Sequence, residues 1–346
     1  MTTRSSMTVS RVGAILLAAF AFTGCASIGN AIASMAESAA TPAIGYRIVA
    51  PAMVTDVTRA QMVERLARAD VVFFGEQHDD PETHRAEAEV LEAIGRTGRP
   101  VVVSLEMFER DIQGVVDDYL AGRLSERDFL ARARPWDRYA TDYRRLIELA
   151  KERRWPVVAA NVPRALASAI GRRGLAALDT LTPKDRGNAA RDNQCPKDDY
   201  RARFLESMQS HSAGAAPTVP AAPAAQAPPG APTAPARPAA PTRDSLPTAV
   251  AERFYLAQCV KDETMAESIV NARLAAPRDA IVVHFDGAFH SDYSQGTVAR
   301  VKRRQPGWTL GVISAVPVAD PAVAPIVTRS GLADFVIFTR RPERRP

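Results

Sequence analysis

The stretch Val71-Val72-Phe73-Phe74-Gly75-Glu76-Gln77-His78-Asp79-Asp80-Pro81-Glu82-Thr83-His84 limits the possible folds more than any other part of the chain. Four consecutive apolar residues, two β-branched and two aromatic, predict a buried strand. Gly75 stops the run, and Asp80-Pro81 opens a helix, with an acid at the N-cap and proline at the first helical position. A strand feeding a helix through a short polar turn is the building unit of α/β sheets, whose sites form at the carboxyl ends of the strands. Here that turn carries Glu76, His78 and Asp79, with His84 one helical turn further on. The chain has five histidines, and two of them, His78 and His84, fall within seven residues of each other.

Two more strands deliver similar chemistry. Pro100 to Glu106 is apolar until its terminal carboxylate, and Ala280 to Gly287 ends in Asp286 and a glycine, with His290 three residues later. A parallel sheet would gather these ends, so Glu76, His78, Glu106 and His290 are the candidate catalytic and metal-binding set. Carboxylates with imidazoles can hold a divalent ion, or act as a general base with its orienting partner. The bland alternative makes Glu76 a helix cap and His78 a surface turn residue. His84 reads equally as a cofactor residue or an exposed helix histidine. His284, in mid-strand, reads as a core histidine, and Tyr139 and Tyr143 as core packing.

The first 24 residues read as a lipoprotein signal peptide. Arg4 and Arg11 supply positive charge, and Val12 to Phe22 is an apolar run too short to span a membrane. Phe22-Thr23-Gly24-Cys25 is similar to the bacterial lipoprotein box, which makes Cys25 the lipidated residue and gives a stable anchor through several acyl chains. Ala26 rather than Asp then directs the protein to the outer membrane, facing the periplasm. An ordinary cleaved signal peptide is the alternative. Residues 25–45 read as a tether and 46–340 as one α/β domain.

Within that domain, 213–243 is almost entirely Ala, Pro, Thr and Gly. Such a tract cannot bury enough apolar surface to offset its ordering entropy, so it is read as a disordered insertion within a helical subdomain. Cys195 and Cys259 flank it. In an exported chain the pair suggests a disulfide, with two buried thiols as the other possibility. The net charge of +5 is scattered rather than gathered into an aromatic-basic stripe, which argues against a nucleic-acid partner.

Apolar spacing predicts helices over 58–69, 81–94 (with Ala88, Leu91 and Ile94 inward), 165–177, 198–208, 248–274 and 297–302. The stretch 111–154 is also helical, broken at Gly122 and Pro135. Further strands are expected at 156–161, 309–314 and 333–339. The second strand follows the first by about thirty residues, the spacing of a βαβ unit.

Several segments together resemble the ChaN-type haem-binding lipoproteins. They are Gly75-Glu76-Gln77-His78-Asp79 with His84, Leu105-Glu106-Met107-Phe108, Trp136 with Tyr139 and Tyr143, and Ala160-Asn161-Val162-Pro163. Ala257-Gln258, Lys261-Asp262, Met265-Ala266 and Ile269 continue the match, as does Gly287-Ala288-Phe289-His290 followed by Gly296. The resemblance runs from about Tyr46 to Thr339. It implies haem binding, a part in iron acquisition or storage, and a mostly parallel mixed sheet flanked by helices, with a helical subdomain.

The family resembles, more distantly, the Tiki metalloproteases and the erythromycin esterases, and Glu76, His78, Glu106 and His290 fall on the superfamily's active-site positions. The esterases have a longer Glu-to-His spacing than the single Gln77 here. Tyrosinate is an attested haem ligand, which makes Tyr293, then Tyr139 and Tyr143, cofactor-binding candidates beside His84. The expected function is haem binding by an outer-membrane lipoprotein. The expected partners are haem or another iron-containing small molecule and the membrane through its lipid anchor, with a homodimer left open. A hydrolase using the four strand-end residues around a divalent metal ion is the alternative from another class.

Overall fold

The computed structural model describes residues 45–214 and 248–341. The expected signal peptide, Cys25, the expected tether up to residue 44 and the Ala/Pro tract beyond Gly214 lie outside the described residues.

Eight strands form one sheet in the order β2-β1-β8-β7-β3-β6-β4-β5. They are β1 (Tyr46–Ala50), β2 (Thr55–Asp56), β3 (Val71–Glu76), β4 (Val101–Glu109), β5 (Val157–Asn161), β6 (Ile281–Gly287), β7 (Leu310–Val318) and β8 (Phe335–Arg340). Strands β3 to β8 run parallel, and β1 joins antiparallel to β8 on one side and β2 on the other. The sheet is therefore mixed and mostly parallel, as expected. Strands β1 and β2 were not among the predicted ones. β1 is five residues long and finds its main partner, β8, almost three hundred residues away, which local periodicity cannot register.

The helices are α1 (Arg59–Leu66), α2 (Pro81–Gly95), α3 (Gln113–Leu120), α4 (Glu126–Ala133), α5 (Arg144–Arg153) and α6 (Arg164–Arg173). A short α7 (Pro183–Arg186), then α8 (Asp199–Gly214), α9 (Thr248–Ala275) and α10 (Gly296–Arg304) complete the set. Thr58 caps α1 through a capping box with Gln61. Asp80 stands at the N-cap of α2, but its carboxylate accepts the hydroxyls of Thr83 and Thr339, each at 2.6 Å, instead of a helix N–H.

Val71, Phe73, Val102, Val282 and Val312 from four neighbouring strands pack against Ile269 and Val270 of α9 and Val298 and Val301 of α10. Phe73 and Phe74 are fully buried, each contributing about 1.5–3 kcal/mol relative to exposure. A second cluster joins Val162, Leu166 and Ile170 to Val260 of α9, forming the helical subdomain. Cys195 and Cys259 are joined as a disulfide, fastening the segment before α8 to α9.

Helix α2 turns differently from expectation. Its buried face is Thr83, His84, Ala86, Glu87, Val90, Leu91 and Ile94, and Ala88 is only partly covered. Two ionisable side chains lie on the inward face, where an apolar period cannot reveal them.

Candidate functional site

Strands β3, β6 and β4 are neighbours, and Glu76 pairs in register with Gly287. This places the ends of all three predicted site strands side by side. Beyond Leu105 the register of β4 shifts, so Glu109 rather than Glu106 reaches Asn161 of β5.

Glu76 is buried at the end of β3. Its Oε1 accepts the Tyr143 hydroxyl at 2.8 Å and makes a short contact with His78 Nδ1. The His78 side chain is 48% exposed, with its ring edge against Trp136 at 5.1 Å. Gly287 makes room for this ring, because a Cβ there would stand 2.7 Å from His78 Nε2. Burial works against a charge on His78, but Glu76 and then Glu106 outweigh it and raise the imidazole above its ordinary value.

The second centre is a triad. His290 Nδ1 lies 2.7 Å from Asp262 Oδ1, and its Nε2 lies 3.4 Å from Glu106 Oε1. Glu106 Oε2 accepts the Gly287 N–H at 2.8 Å, and Thr297 donates its hydroxyl to Asp262 Oδ1 at 3.0 Å. Burial opposes charging of His290, yet the flanking carboxylates of Glu106 and Asp262 overcome it and raise the imidazole to about 10. The same pairing holds Glu106 and Asp262 below the usual carboxylate range against the opposing effect of burial. His290 is therefore a buried imidazolium between two carboxylates.

Behind these groups, His284 is wholly buried with Nδ1 2.9 Å from Ser104 Oγ. Burial depresses it to about 3, so it is neutral, in keeping with a core histidine. Its Nε2 stands 3.6 Å from Asp286 Oδ2. Asp286, also buried and bonded to the Ser291 hydroxyl at 2.9 Å, is pushed well above the carboxylate range by burial.

The four predicted residues thus come to one corner of the sheet, but as two carboxylate–imidazole pairs rather than as one ligand set. Among the described residues, the set of three His, Cys, Asp or Glu side chains whose donor atoms lie within 4.8 Å of one another is Glu76, His84 and Glu87. The expected set of Glu76, His78, Glu106 and His290 thus stands as two pairs at neighbouring strand ends, with His78 feeling the charges of Glu106 and His290 as well as that of Glu76. One oxygen of each carboxylate faces its own imidazole, and His78 turns half out to solvent.

His84 is 4% exposed, which removes the surface-histidine alternative. Its Nδ1 lies 2.9 Å from Glu87 Oε2 and 3.7 Å from Glu76 Oε2, and its Nε2 faces the His78 carbonyl at 3.2 Å and Asp142 Oδ2 at 3.4 Å. Burial first, and then the Glu76 carboxylate, push Glu87 well above the ordinary carboxylate range. Asp262 and Glu87 are the site residues that sequence reasoning missed. A signal existed for the first, since Lys261-Asp262-Glu263-Thr264 is a run of four polar residues in the middle of α9. For Glu87 the trace was its i,i+3 spacing from His84.

The three candidate tyrosines separate by exposure. Tyr139 is buried among Phe108 and Phe129, and Tyr143 is buried between Glu76, His84 and Trp136. Burial raises both phenols far above their ordinary value. Tyr293 is 48% exposed, in a left-handed backbone conformation with φ of 62°.

This arrangement defines an α/β domain with a carboxylate–histidine corner at the ends of three parallel strands. The same fold is found in the solved structure of ChaN of Campylobacter jejuni, a protein described for cofacial haem binding. The TM-score is 0.58 at 13% identity, over 84% of this chain and 96% of that one. Residues 62–301 match the family described as haem-binding uptake, Tiki superfamily, ChaN, and the chain belongs to that family. No curated protein matches it.

Proposed function

We propose that this protein is an outer-membrane lipoprotein, facing the periplasm, that binds haem for iron acquisition or storage. The family membership supports haem as the ligand, and the observation that carries the site is the corner around Tyr293. An iron porphyrin requires an oxygen or nitrogen donor for the metal, a flat apolar surface for the ring and cations for its propionates. Tyr293 offers an open phenol, Phe289 the apolar ring, and Arg203 the cation, its guanidinium 5.1 Å from the Tyr293 ring and 4.2 Å from that of Phe289. Arg203 is anchored by hydrogen bonds to the Phe289 carbonyl at 3.1 Å and Gln295 Oε1 at 3.1 Å. The Tyr293 N–H donates to the Leu332 carbonyl at 2.7 Å and holds the turn in place.

When bound, haem supplies the iron that is taken up or stored. The chain's part is to ligate, seat and release it. A site on an open face leaves one side of the porphyrin in water, which a second haem on a second copy of the chain would cover. That is the form in which a homodimer fits this reading.

The test is a hemin titration of the full chain followed by absorbance. The native chain is expected to give a shifted Soret band, and Tyr293→Phe to lose that shift or weaken binding at least tenfold. An unchanged spectrum and affinity in Tyr293→Phe removes Tyr293 from the site. The anchor is tested separately: Cys25→Ser should leave the outer-membrane fraction, and its continued sedimentation with membranes refutes lipidation there.

A further inference from the structure

We infer that Glu76, His84 and Glu87 form a buried site for one divalent first-row metal ion, distinct from the Tyr293 corner and from the Glu106–His290 pair. The argument begins with hydrogen-bond directions. His84 Nε2 faces the His78 carbonyl at 3.2 Å and Asp142 Oδ2 at 3.4 Å, both acceptors, so it carries a hydrogen. In the neutral ring this turns the lone pair of Nδ1 towards Glu87 Oε2 at 2.9 Å and Glu76 Oε2 at 3.7 Å. Three lone-pair donors then face one point inside the protein, an arrangement that is repulsive unless a cation or a proton stands among them.

The two carboxylates are otherwise underused. Glu76 Oε2 and Glu87 Oε1 are buried without a hydrogen-bond partner, although both residues are at least 99% buried. Unsatisfied buried carboxylate oxygens are costly and call for a partner. The spacing suits an ion: bonds of about 2.0–2.2 Å place neighbouring ligand atoms roughly 3 to 3.5 Å apart.

The surroundings are those of a metal centre. Asp142 orients the far side of the liganding imidazole, and the Tyr143 hydroxyl and His78 hold the other oxygen of Glu76. Two carboxylates and a divalent ion sum to zero charge, which burial requires. The set is a glutamate from a strand end plus a His-x-x-Glu pair on one helix face, with oxygen and imidazole donors that suit iron, manganese or zinc. A cleft of about 310 Å³ lined by Pro81, Arg85, Glu89 and Arg145 reaches His84 and Asp142 on the Nε2 side of the imidazole.

The experiment uses the full chain, free of hemin and dialysed against a chelator, with Mn2+ and Zn2+ titrated by calorimetry and bound metal measured after gel filtration. One ion per chain is expected. Glu87→Gln and His84→Gln should abolish stoichiometric binding, and Asp142→Asn should weaken it about 10–100-fold. The native chain loaded with Co2+ should show one hyperfine-shifted imidazole N–H, from His84, whose Nε2 faces the His78 carbonyl and Asp142. This decides the matter even where a variant does not fold. Failure of the native chain to bind either ion overturns the proposal. Unchanged affinity in Glu87→Gln, or two shifted imidazole signals with loss of the ion in Glu106→Gln, overturns it equally.

Discussion

The buried imidazolium of His290 makes stability depend on alkaline pH in a way that can be worked out. An unfolded histidine titrates near 6.5, whereas folded His290 is held at about 10 between Asp262 and Glu106. Because the folded value is the higher one, the contribution is fully present below about 6.5 and is lost as pH rises through about 10. Linkage gives about 4 kcal/mol at pH 7, falling to little more than about 1 kcal/mol at pH 9. Between those limits the native state holds about one proton more than the unfolded state, a slope of about −1.4 kcal/mol per pH unit. The perturbation is Asp262→Asn, which keeps an oxygen near His290 Nδ1 but removes one of the two charges, 2.7 Å away. The assay is urea unfolding at half-unit steps from pH 6.5 to 9, at low and high salt. The native slope is expected to be steep and nearly salt-independent, since the pair is buried. In Asp262→Asn the fall should begin at the same pH, near 6.5, but end lower, so that its profile flattens while the native one is still falling, the two slopes matching again only above about pH 10. A flat native profile from pH 7 to 9, or the same profile in Asp262→Asn, would falsify the assignment of a charged His290.

Further outcomes follow from particular contacts. Gly75→Ala should cost about 1–3 kcal/mol in chemical denaturation, because its Cβ would stand 2.9 Å from the Ala288 Cα and 2.7 Å from Ser291 Oγ. Gly287→Ala should cost less, as its Cβ meets the half-exposed His78 ring, which can swing away; equal losses in the two variants would contradict this. Replacing Cys195 and Cys259 by serine opens a cross-link 64 residues apart in sequence, worth about 4 kcal/mol in the chain-entropy account. An unchanged thermal midpoint would show that the unfolded chain gains nothing from the cut. Deleting residues 215–243 with a short flexible linker should leave the midpoint within a few degrees, since loop closure changes by only about 0.6 kcal/mol per doubling of length. Collapse of the fold would show that the tract packs.

Much of the frame was legible because it rests on short-range rules. Val71 to Phe74 read as a buried strand, Asp80-Pro81 as a helix start, and the thirty-residue step to the next strand as a βαβ unit. Each depends on a period or a turn residue that acts within a few positions. The strand-end placement of Glu76, Glu106 and His290 followed from the same reasoning, because parallel strands end on one side.

What the sequence by itself determined was therefore the class of fold and the corner of the sheet where polar side chains meet. Which groups touch was decided only by the tertiary structure. Asp262 reaches His290 because α9 packs against the sheet, with Ile269 and Val270 on the starts of the strands and Asp262 at the His290 turn, and the order β3-β6-β4 puts Gly287 between Glu76 and Glu106. Glu87 joins His84 and Glu76 because α2 turns a polar stripe inward. Tyr139 and Tyr143 are enclosed, and Tyr293 is left open, by packing between segments far apart in the chain. The physical reason is common to all of these. Hydrophobic periodicity records which face of an element is buried, whereas the pairing of buried charges depends on how elements cross, and neither a period of two nor one of 3.6 encodes that.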